Sequence, residues 1–147
     1  MNVANAPSLV INRTLNAPVE TVYQAWTDPA KIVKWFGPSD EMTCETPQFD
    51  FRIGGRYTLL LLSPSGDRHC VSGEYKEIVE NQKLVFSWAW ETTPQSVSQV
   101  TVTLRADGDT TRLQLLHEQF VSEDARDNHN RGWVPSLDRL AANIAAL

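Results

Sequence analysis

Two histidines, His117 and His129, are the side chains of this 147-residue chain whose type and position best suit chemistry. His117 ends a stretch that alternates apolar and polar residues, and it falls on the inward, apolar side of that alternation. His129 lies on the apolar stripe of a segment with helical spacing, so the two rings could meet at the mouth of a cavity. An imidazole there serves as a hydrogen-bonded core residue, a ligand contact or a proton-transfer group. The pattern leaves all three roles open.

Sequence motifs point to no metal and no catalytic constellation. Two histidines without a placed carboxylate or a third ligand fall short of a zinc set, and His117-Glu118 does not open an HExxH motif because position 121 is Val. The sequence contains no GxSxG, Walker A or GxGxxG motif. We therefore expect no metal and no cofactor, and we assign no catalytic residue.

Four further polar residues could anchor a ligand in a cavity: Arg52, Arg56, Tyr57 and Glu118. Tyr57, like His117, could also act as a general acid or base. Arg52 and Arg56 flank a predicted turn, where the alternative interpretation is a pair of surface-facing strand residues.

Five Trp residues in so short a chain indicate a large aromatic interior. An indole ring carries an N–H that a dry core seldom satisfies, so large rings with a polar tip suit the wall of a pocket. The residues of inward parity therefore predict the lining of a ligand cavity, the alternative being that they only fill the core. The predicted lining comprises Trp35, Phe49, Phe51, Tyr57, Leu59, Phe86, Trp88, Trp90, Val102, Leu115, His117, Trp133, Leu137 and Leu140.

The elements that must position these residues begin with a strand over 8–15. Ala17-Pro18 and then Asp28-Pro29 have the form of helix starts, so we predict two short helices, the second carrying Trp35 and Phe36. From 41 to 117 the period is two, which predicts six strands joined by short links in an antiparallel meander. Residues 122–147 predict one long helix, with Ser122 as its N-cap.

Two details of the predicted sheet bear on the site and on assembly. Phe49, Phe51 and Ile53 alternate with polar residues and are placed on one strand. Leu60 and Leu62 make a second strand face apolar, which suggests either a homodimer contact or a face covered by the short helices.

Composition restricts the class of protein. Thirteen basic and eighteen acidic residues give a net charge of −5, which argues against a nucleic-acid binder and against a protein that binds anionic membranes. Residues 1–10 lack the regions of a signal peptide, no apolar run approaches the roughly 20 residues of a membrane span, and Cys44 and Cys70 lie outside any CxxC pattern. We expect a cytoplasmic protein with reduced thiols, folded as one domain over 8–147 after a short tail, 1–7.

Four groups of residues recur in a characteristic order along the chain. They are APVETVYQAWTDP at 17–29 with WF at 35–36, FRIGGRY at 51–57, GEYKEI at 73–78 with LVFSW at 84–88, and LLHEQF at 115–120 with GWVPSLDRL at 132–140. In this order they resemble the SRPBCC (START/birch-pollen-allergen-like) superfamily, and the last group is similar to the branch named after the activator of heat-shock protein 90 ATPase homologue. The likeness extends over residues 9–147.

The resemblance implies an α+β helix-grip fold, in which a curved antiparallel sheet wraps around the long C-terminal helix and encloses a cavity. It also implies binding or sequestration of a hydrophobic, aromatic-containing small molecule. One alternative is a cyclase or dehydratase that uses the same cavity. The other is a chaperone-associated or other protein-interaction module with a part in the stress response, although we expect this chain to lack the partner domain of the co-chaperones.

Overall fold

The computed structural model describes residues 6–147, so most of the predicted tail, residues 1–5, lies outside the described residues. The elements in chain order are β1 (Leu9–Leu15), α1 (Val19–Thr27), α2 (Pro29–Ile32), β2 (Thr43–Phe49), β3 (Arg56–Leu62), β4 (Arg68–Val79), β5 (Lys83–Trp90), β6 (Ser98–Asp107), β7 (Thr110–Glu118) and α3 (Glu123–Asn143), followed by a 3-10 turn at Ile144–Ala146. The seven strands form one curved antiparallel sheet in the order β1–β7–β6–β5–β4–β3–β2. This is the predicted helix-grip fold, with six consecutive strands in a meander.

The second short helix is shorter than predicted, and this places two aromatic rings in a loop. Asp28 caps α2 by accepting a hydrogen bond from the backbone N–H of Ala30 at 2.9 Å. The helix ends at Ile32, whose carbonyl accepts the N–H groups of both Trp35 and Phe36. These tightened last bonds carry the chain through one further turn, so both aromatics follow the helix instead of lying within it.

The prediction that Phe51 and Ile53 continue the strand of Phe49 is wrong. The strand β2 ends at Phe49, and residues 50–55 form a turn in which Gly55 N–H donates to the Arg52 carbonyl at 2.8 Å. Gly54 adopts a φ of +83°, which glycine reaches without steric cost and which a strand cannot contain. Ile53 is consequently 63% exposed, whereas Phe51 folds back onto Tyr75, with 5.0 Å between ring centroids.

The long helix α3 lies along the concave face of the sheet. The hydroxyl of Ser122 accepts the N–H of Ala125 at 3.1 Å, as the predicted N-cap requires. Trp133, Leu137 and Leu140 are buried on one side of the helix, each contributing about 2 kcal/mol of hydrophobic stabilisation. Among residues 6–147, no helix combines the length with the apolar composition needed to cross a bilayer.

The second apolar face of β3 is largely covered within a single chain. Leu60 is 6% exposed and Leu62 is half-buried. A homodimer contact is therefore not needed to keep Leu60 from water, and the dimer stays a prediction.

Candidate functional site

A cavity of about 530 Å³ lies between one end of the sheet, α3 and the loop that follows α2. Its lining consists of Phe36, Gly37, Pro38 and Met42 from the loop region, Leu61, His69, Trp88 and Trp90 from the sheet, and Ala125, Asn128, His129, Gly132, Trp133 and Ser136 from α3. None of these lining residues is Asp, Glu, Lys or Arg. The walls are therefore mainly apolar, with two histidines and one amide as the largest polar groups.

The predicted lining residues separate into three places. Trp88, Trp90 and Trp133 line the 530 Å³ cavity. Phe49, Tyr57, Leu59 and Phe86 instead surround a void of about 20 Å³ deeper in the sheet, which Trp88 and Trp133 also border. The remaining seven border neither space and pack in or against the core: Trp35, Phe51, Val102, Leu115, His117, Leu137 and Leu140.

Ring packing explains why the middle of the predicted cavity is filled. Tyr57 and Phe86 meet edge-to-face with 5.5 Å between centroids, and Tyr75 packs against both. Such interlocked rings reach the packing density of a protein interior and leave little free space. Inward parity therefore identified residues of the core as well as residues of the cavity wall.

Most of the small residues that make room for the cavity are absent from the lining predicted from the sequence. Ala125, Gly132 and Ser136 lie on α3 at spacings of seven and four, directly beside the aromatic stripe of His129 and Trp133. This stripe of small side chains is the signal that could have located the cavity wall. Asn128, also on α3, belongs to the same wall.

His117 is completely buried, and both of its ring nitrogens have partners. The indole N–H of Trp133 donates to Nδ1 at 3.0 Å, and Nε2 lies 2.7 Å from the hydroxyl oxygen of Ser98. An indole nitrogen only donates, so Nδ1 must accept and the ring proton lies on Nε2. The Ser98 hydroxyl in turn donates to the carbonyl of Trp88 at 3.3 Å. These hydrogen bonds require a neutral ring with one defined tautomer. The pKa of His117 is lowered well below 6.5, mainly by burial and to a lesser degree by the nearby His129.

His129 is neutral for the same kind of reason. Its Nε2 accepts the indole N–H of Trp90 at 2.8 Å, so its proton lies on Nδ1, which donates to the Ala125 carbonyl at 2.6 Å. Burial lowers the pKa of His129, and the hydrogen bond to Ala125 partly opposes that effect. The ring centroids of His117 and His129 are 5.0 Å apart, so the two histidines do meet.

The histidine pair is built for hydrogen bonding between sheet and helix. All four ring nitrogens are used by protein partners, so neither ring offers a free nitrogen to a ligand. Within the part of the chain that the structure describes, no three His, Cys, Asp or Glu side chains come together in a way that could hold a metal ion.

The other polar candidates lie outside the cavity. Tyr57 is 2% exposed and donates its hydroxyl to the Ser87 carbonyl at 2.6 Å, and burial raises its pKa well above 10. Arg52 pairs at the surface with Asp50 at 2.8 Å. Arg56 is exposed and Glu118 is half-buried at the end of β7. None of these four residues lines the 530 Å³ cavity.

Arg139 on α3 forms hydrogen bonds to the loop that makes one wall of the cavity. Its Nη1 donates to the carbonyls of Trp35 at 3.0 Å and Gly37 at 2.8 Å, and its Nε donates to the Asp40 carboxylate at 2.8 Å. One guanidinium therefore holds three points of the loop, which keeps Phe36 against the cavity.

Cys44 and Cys70 are both free thiols, as predicted. Burial raises the pKa of the Cys44 thiol to about 12, so Cys44 is a neutral thiol at physiological pH and a poor nucleophile.

Comparisons with known proteins agree with this architecture. The sequence model of a family described as activator of Hsp90 ATPase homolog 1-like protein matches residues 16–145. A crystal structure of a protein from Chromobacterium violaceum is 29% identical, covers 93% of this chain and 96% of that chain, and has a TM-score of 0.85. The AHSA1 protein of Silicibacter pomeroyi is 26% identical, with coverages of 95% and 99% and a TM-score of 0.84.

One curated relative is a much longer protein. An uncharacterized protein of Schizosaccharomyces pombe is 27% identical over 124 residues, which are 83% of this chain and 33% of that protein. The chain thus spans about a third of the length of the curated relative it matches.

Proposed function

Because the chain belongs to the activator of Hsp90 ATPase homolog 1-like family, whose fold is generally a ligand-binding fold, we propose that it binds or sequesters a hydrophobic, aromatic-containing small molecule. The binding site in this proposal is the 530 Å³ cavity between the sheet and α3. The observation that carries the proposal is the cavity itself, which opens to solvent and places Trp88, Trp90 and Trp133 beside an otherwise tightly packed core.

The dimensions and walls of the cavity suit such a ligand. Pockets for small molecules usually measure about 300–1,000 Å³ and are lined mainly by apolar and aromatic side chains with a few polar groups. An aromatic ligand would stack against the indole rings and lose contact with water, which supplies most of its binding free energy. His69 on β4 and Asn128 on α3 are polar lining groups that can orient the ligand, Asn128 through its amide N–H₂, since its Oδ1 already accepts a hydrogen bond from Arg131 at 2.7 Å.

The hydrogen bond between Trp90 and His129 joins two lining residues from opposite walls of the cavity. It holds the end of β5 against α3, so the two walls are positioned before a ligand arrives. A site organised in advance spends less free energy on ordering side chains when it binds.

The test is direct binding of the uncharged fluorescent probe N-phenyl-1-naphthylamine, followed by probe emission and Trp quenching. Gly132 offers a matched pair of variants, since a Cβ at this position would contact nothing within 4 Å. Gly132→Phe places a ring in the cavity and should weaken probe binding at least tenfold, whereas Gly132→Ala should bind as wild type does. Equal binding by both variants would locate the site elsewhere. Failure of the wild-type protein to bind this probe, fluorene or a long-chain alcohol would refute the function itself.

The two alternative functions gain less support. A cyclase or dehydratase needs a proton-transfer group beside its substrate, and the two candidates, His117 and Tyr57, have their polar atoms engaged by protein partners away from the 530 Å³ cavity. A protein-interaction module would be favoured by a filled interior, and the 530 Å³ cavity favours ligand binding instead. We also propose a reducing compartment, the cytoplasm, on the basis of the two free thiols.

A further inference from the structure

The five indole N–H groups are not used alike. Those of Trp35, Trp90 and Trp133 donate to the Ala25 carbonyl, to His129 and to His117 at 2.8–3.0 Å. Those of Trp26 and Trp88 are buried and find no hydrogen-bond partner among residues 6–147. An unpartnered buried donor is destabilising, so each of these two N–H groups calls for an explanation.

Both unpartnered indoles border the same space. Trp26 and Trp88, which are 3% and 4% exposed, are part of the lining of the 20 Å³ void. A space of this size is sufficient for about one oxygen atom with its hydrogens, since a water needs roughly 10–15 Å³ by the same measure. The other bordering residues are aliphatic or aromatic; the hydroxyl of Tyr57 is already donated to the Ser87 carbonyl, and Tyr75 adds a second hydroxyl. Among the residues that line the void, the indole N–H groups of Trp26 and Trp88 are the buried donors without a partner.

Only a thin partition separates this void from the large cavity. Phe36, Trp88 and Trp133 line both spaces. Trp88 and Trp133 belong to β5 and α3, whereas Phe36 belongs to the loop after α2 and is followed by Gly37, with φ at +125°. Phe36 is thus the one of these three shared lining residues that lies outside the strands and helices.

We propose that the void is the inner end of the ligand site, where an uncharged acceptor oxygen of an aromatic ligand, such as a ketone or quinone carbonyl, accepts hydrogen bonds from the indole N–H groups of Trp26 and Trp88. This inference rests on the proposed function, because the ligand's rings occupy the 530 Å³ cavity. The acceptor is uncharged because no Asp, Glu, Lys or Arg borders either space to pair with an ion, and burying an unpaired charge there would be very costly.

The test compares fluorene with 9-fluorenone, which share one tricyclic skeleton and differ by a methylene against a carbonyl. Binding is followed by Trp quenching, and the five indole N–H signals are followed in ¹H–¹⁵N spectra. We expect 9-fluorenone to bind roughly two- to tenfold more tightly for each net hydrogen bond that its carbonyl accepts. It should shift the Trp26 and Trp88 N–H signals downfield, and fluorene should not.

Two Trp→Phe variants give the matched control. Trp26→Phe keeps a ring and removes one of the two unpartnered N–H groups at a residue that does not line the 530 Å³ cavity, so it should reduce the preference for 9-fluorenone while fluorene still binds. Trp90→Phe removes an N–H that His129 already accepts, so the preference should survive. Comparing the two ligands within each variant cancels any general loss of stability.

The possible outcomes separate this inference from the function on which it rests. Equal binding of the two ligands, or downfield shifts confined to Trp90 and Trp133, would overturn the acceptor site while leaving the binding function intact. So would N–H signals of Trp26 and Trp88 that stay fixed in saturating 9-fluorenone, the result expected if a buried water already occupied the void. Binding of neither ligand would remove the proposed function itself.

Discussion

The indole N–H of Trp133 on α3 donates to Nδ1 of His117 on β7 across 3.0 Å, and this bond joins the long helix to the end of a sheet strand. Because Nδ1 accepts this bond, the ring proton of His117 lies on Nε2. His117 therefore donates through Nε2 to the hydroxyl oxygen of Ser98. Trp133 is at the same time a wall of the large cavity. The position of the helix and the shape of the site thus depend on one buried, neutral imidazole.

Replacing that imidazole should be costly. In His117→Leu the new side chain is similar in size to the imidazole, but the Trp133 N–H and the Ser98 hydroxyl lose their buried partner. We therefore expect a loss of about 2–4 kcal/mol in the free energy of unfolding. Ser98→Ala removes one hydroxyl and should cost about 1 kcal/mol. Urea denaturation followed by Trp fluorescence measures both. A His117→Leu protein as stable as wild type would show that the network carries no net stability.

Stability should fall in mild acid. Burial lowers the pKa values of folded His117 and His129 below 6.5, so between those values and the unfolded value the unfolded chain binds more protons than the folded one. The stabilisation is complete above pH 6.5 and decreases as the pH falls toward the folded pKa values. Urea midpoints measured from pH 7.5 to 5 check this. His129→Gln keeps an acceptor for Trp90 and should flatten the profile, whereas an equally steep profile in this variant would contradict the assignment.

Two glycines should respond oppositely to alanine. A Cβ on Gly73, in β4, would lie 1.8 Å from the Ser87 carbonyl oxygen and 2.8 Å from the Tyr57 ring, so Gly73→Ala must displace β5. We expect a loss of about 3 kcal/mol. Gly132→Ala meets open space within α3 and should gain about 0.5–1 kcal/mol from helix propensity. Thermal unfolding of the two variants provides the comparison, and destabilisation of both would mean that Gly132 is held by a contact.

Arg139 should stabilise both the loop and the cavity wall it forms. Arg139→Lys keeps the charge but lacks the planar fork that reaches Trp35 and Gly37, so it should destabilise by about 1–2 kcal/mol. It should also weaken binding of N-phenyl-1-naphthylamine several-fold. Asp40→Asn is the control, because the Asp40 side chain is 89% exposed and an exposed ion pair contributes little. If the two variants behaved alike, the hydrogen bonds to the loop carbonyls would be unimportant.

Much of the fold could be predicted because local patterns agree with tertiary packing. The stripe of Trp133, Leu137 and Leu140 is buried as its helical spacing requires, and Ser122 caps the helix it precedes. The miss at Phe51 and Ile53 has a local cause. The alternation of apolar and polar residues continues in the sequence beyond Phe49, but Gly54 at a positive φ turns the backbone out of the strand.

The sequence by itself determined which residues face inward, because side-chain parity in strands and spacing in helices follow from backbone geometry. Only the tertiary structure decided which of those residues enclose open space. Tyr57 and Phe86 have the same parity as Trp88 and Trp90, yet the first two interlock around 20 Å³ while the other two border 530 Å³. The difference arises where Gly132, Ala125 and Ser136 on α3 face the rings, since free volume depends on the side chains that meet across the interior. The hydrogen-bond partner of each indole N–H group was likewise decided by the tertiary structure.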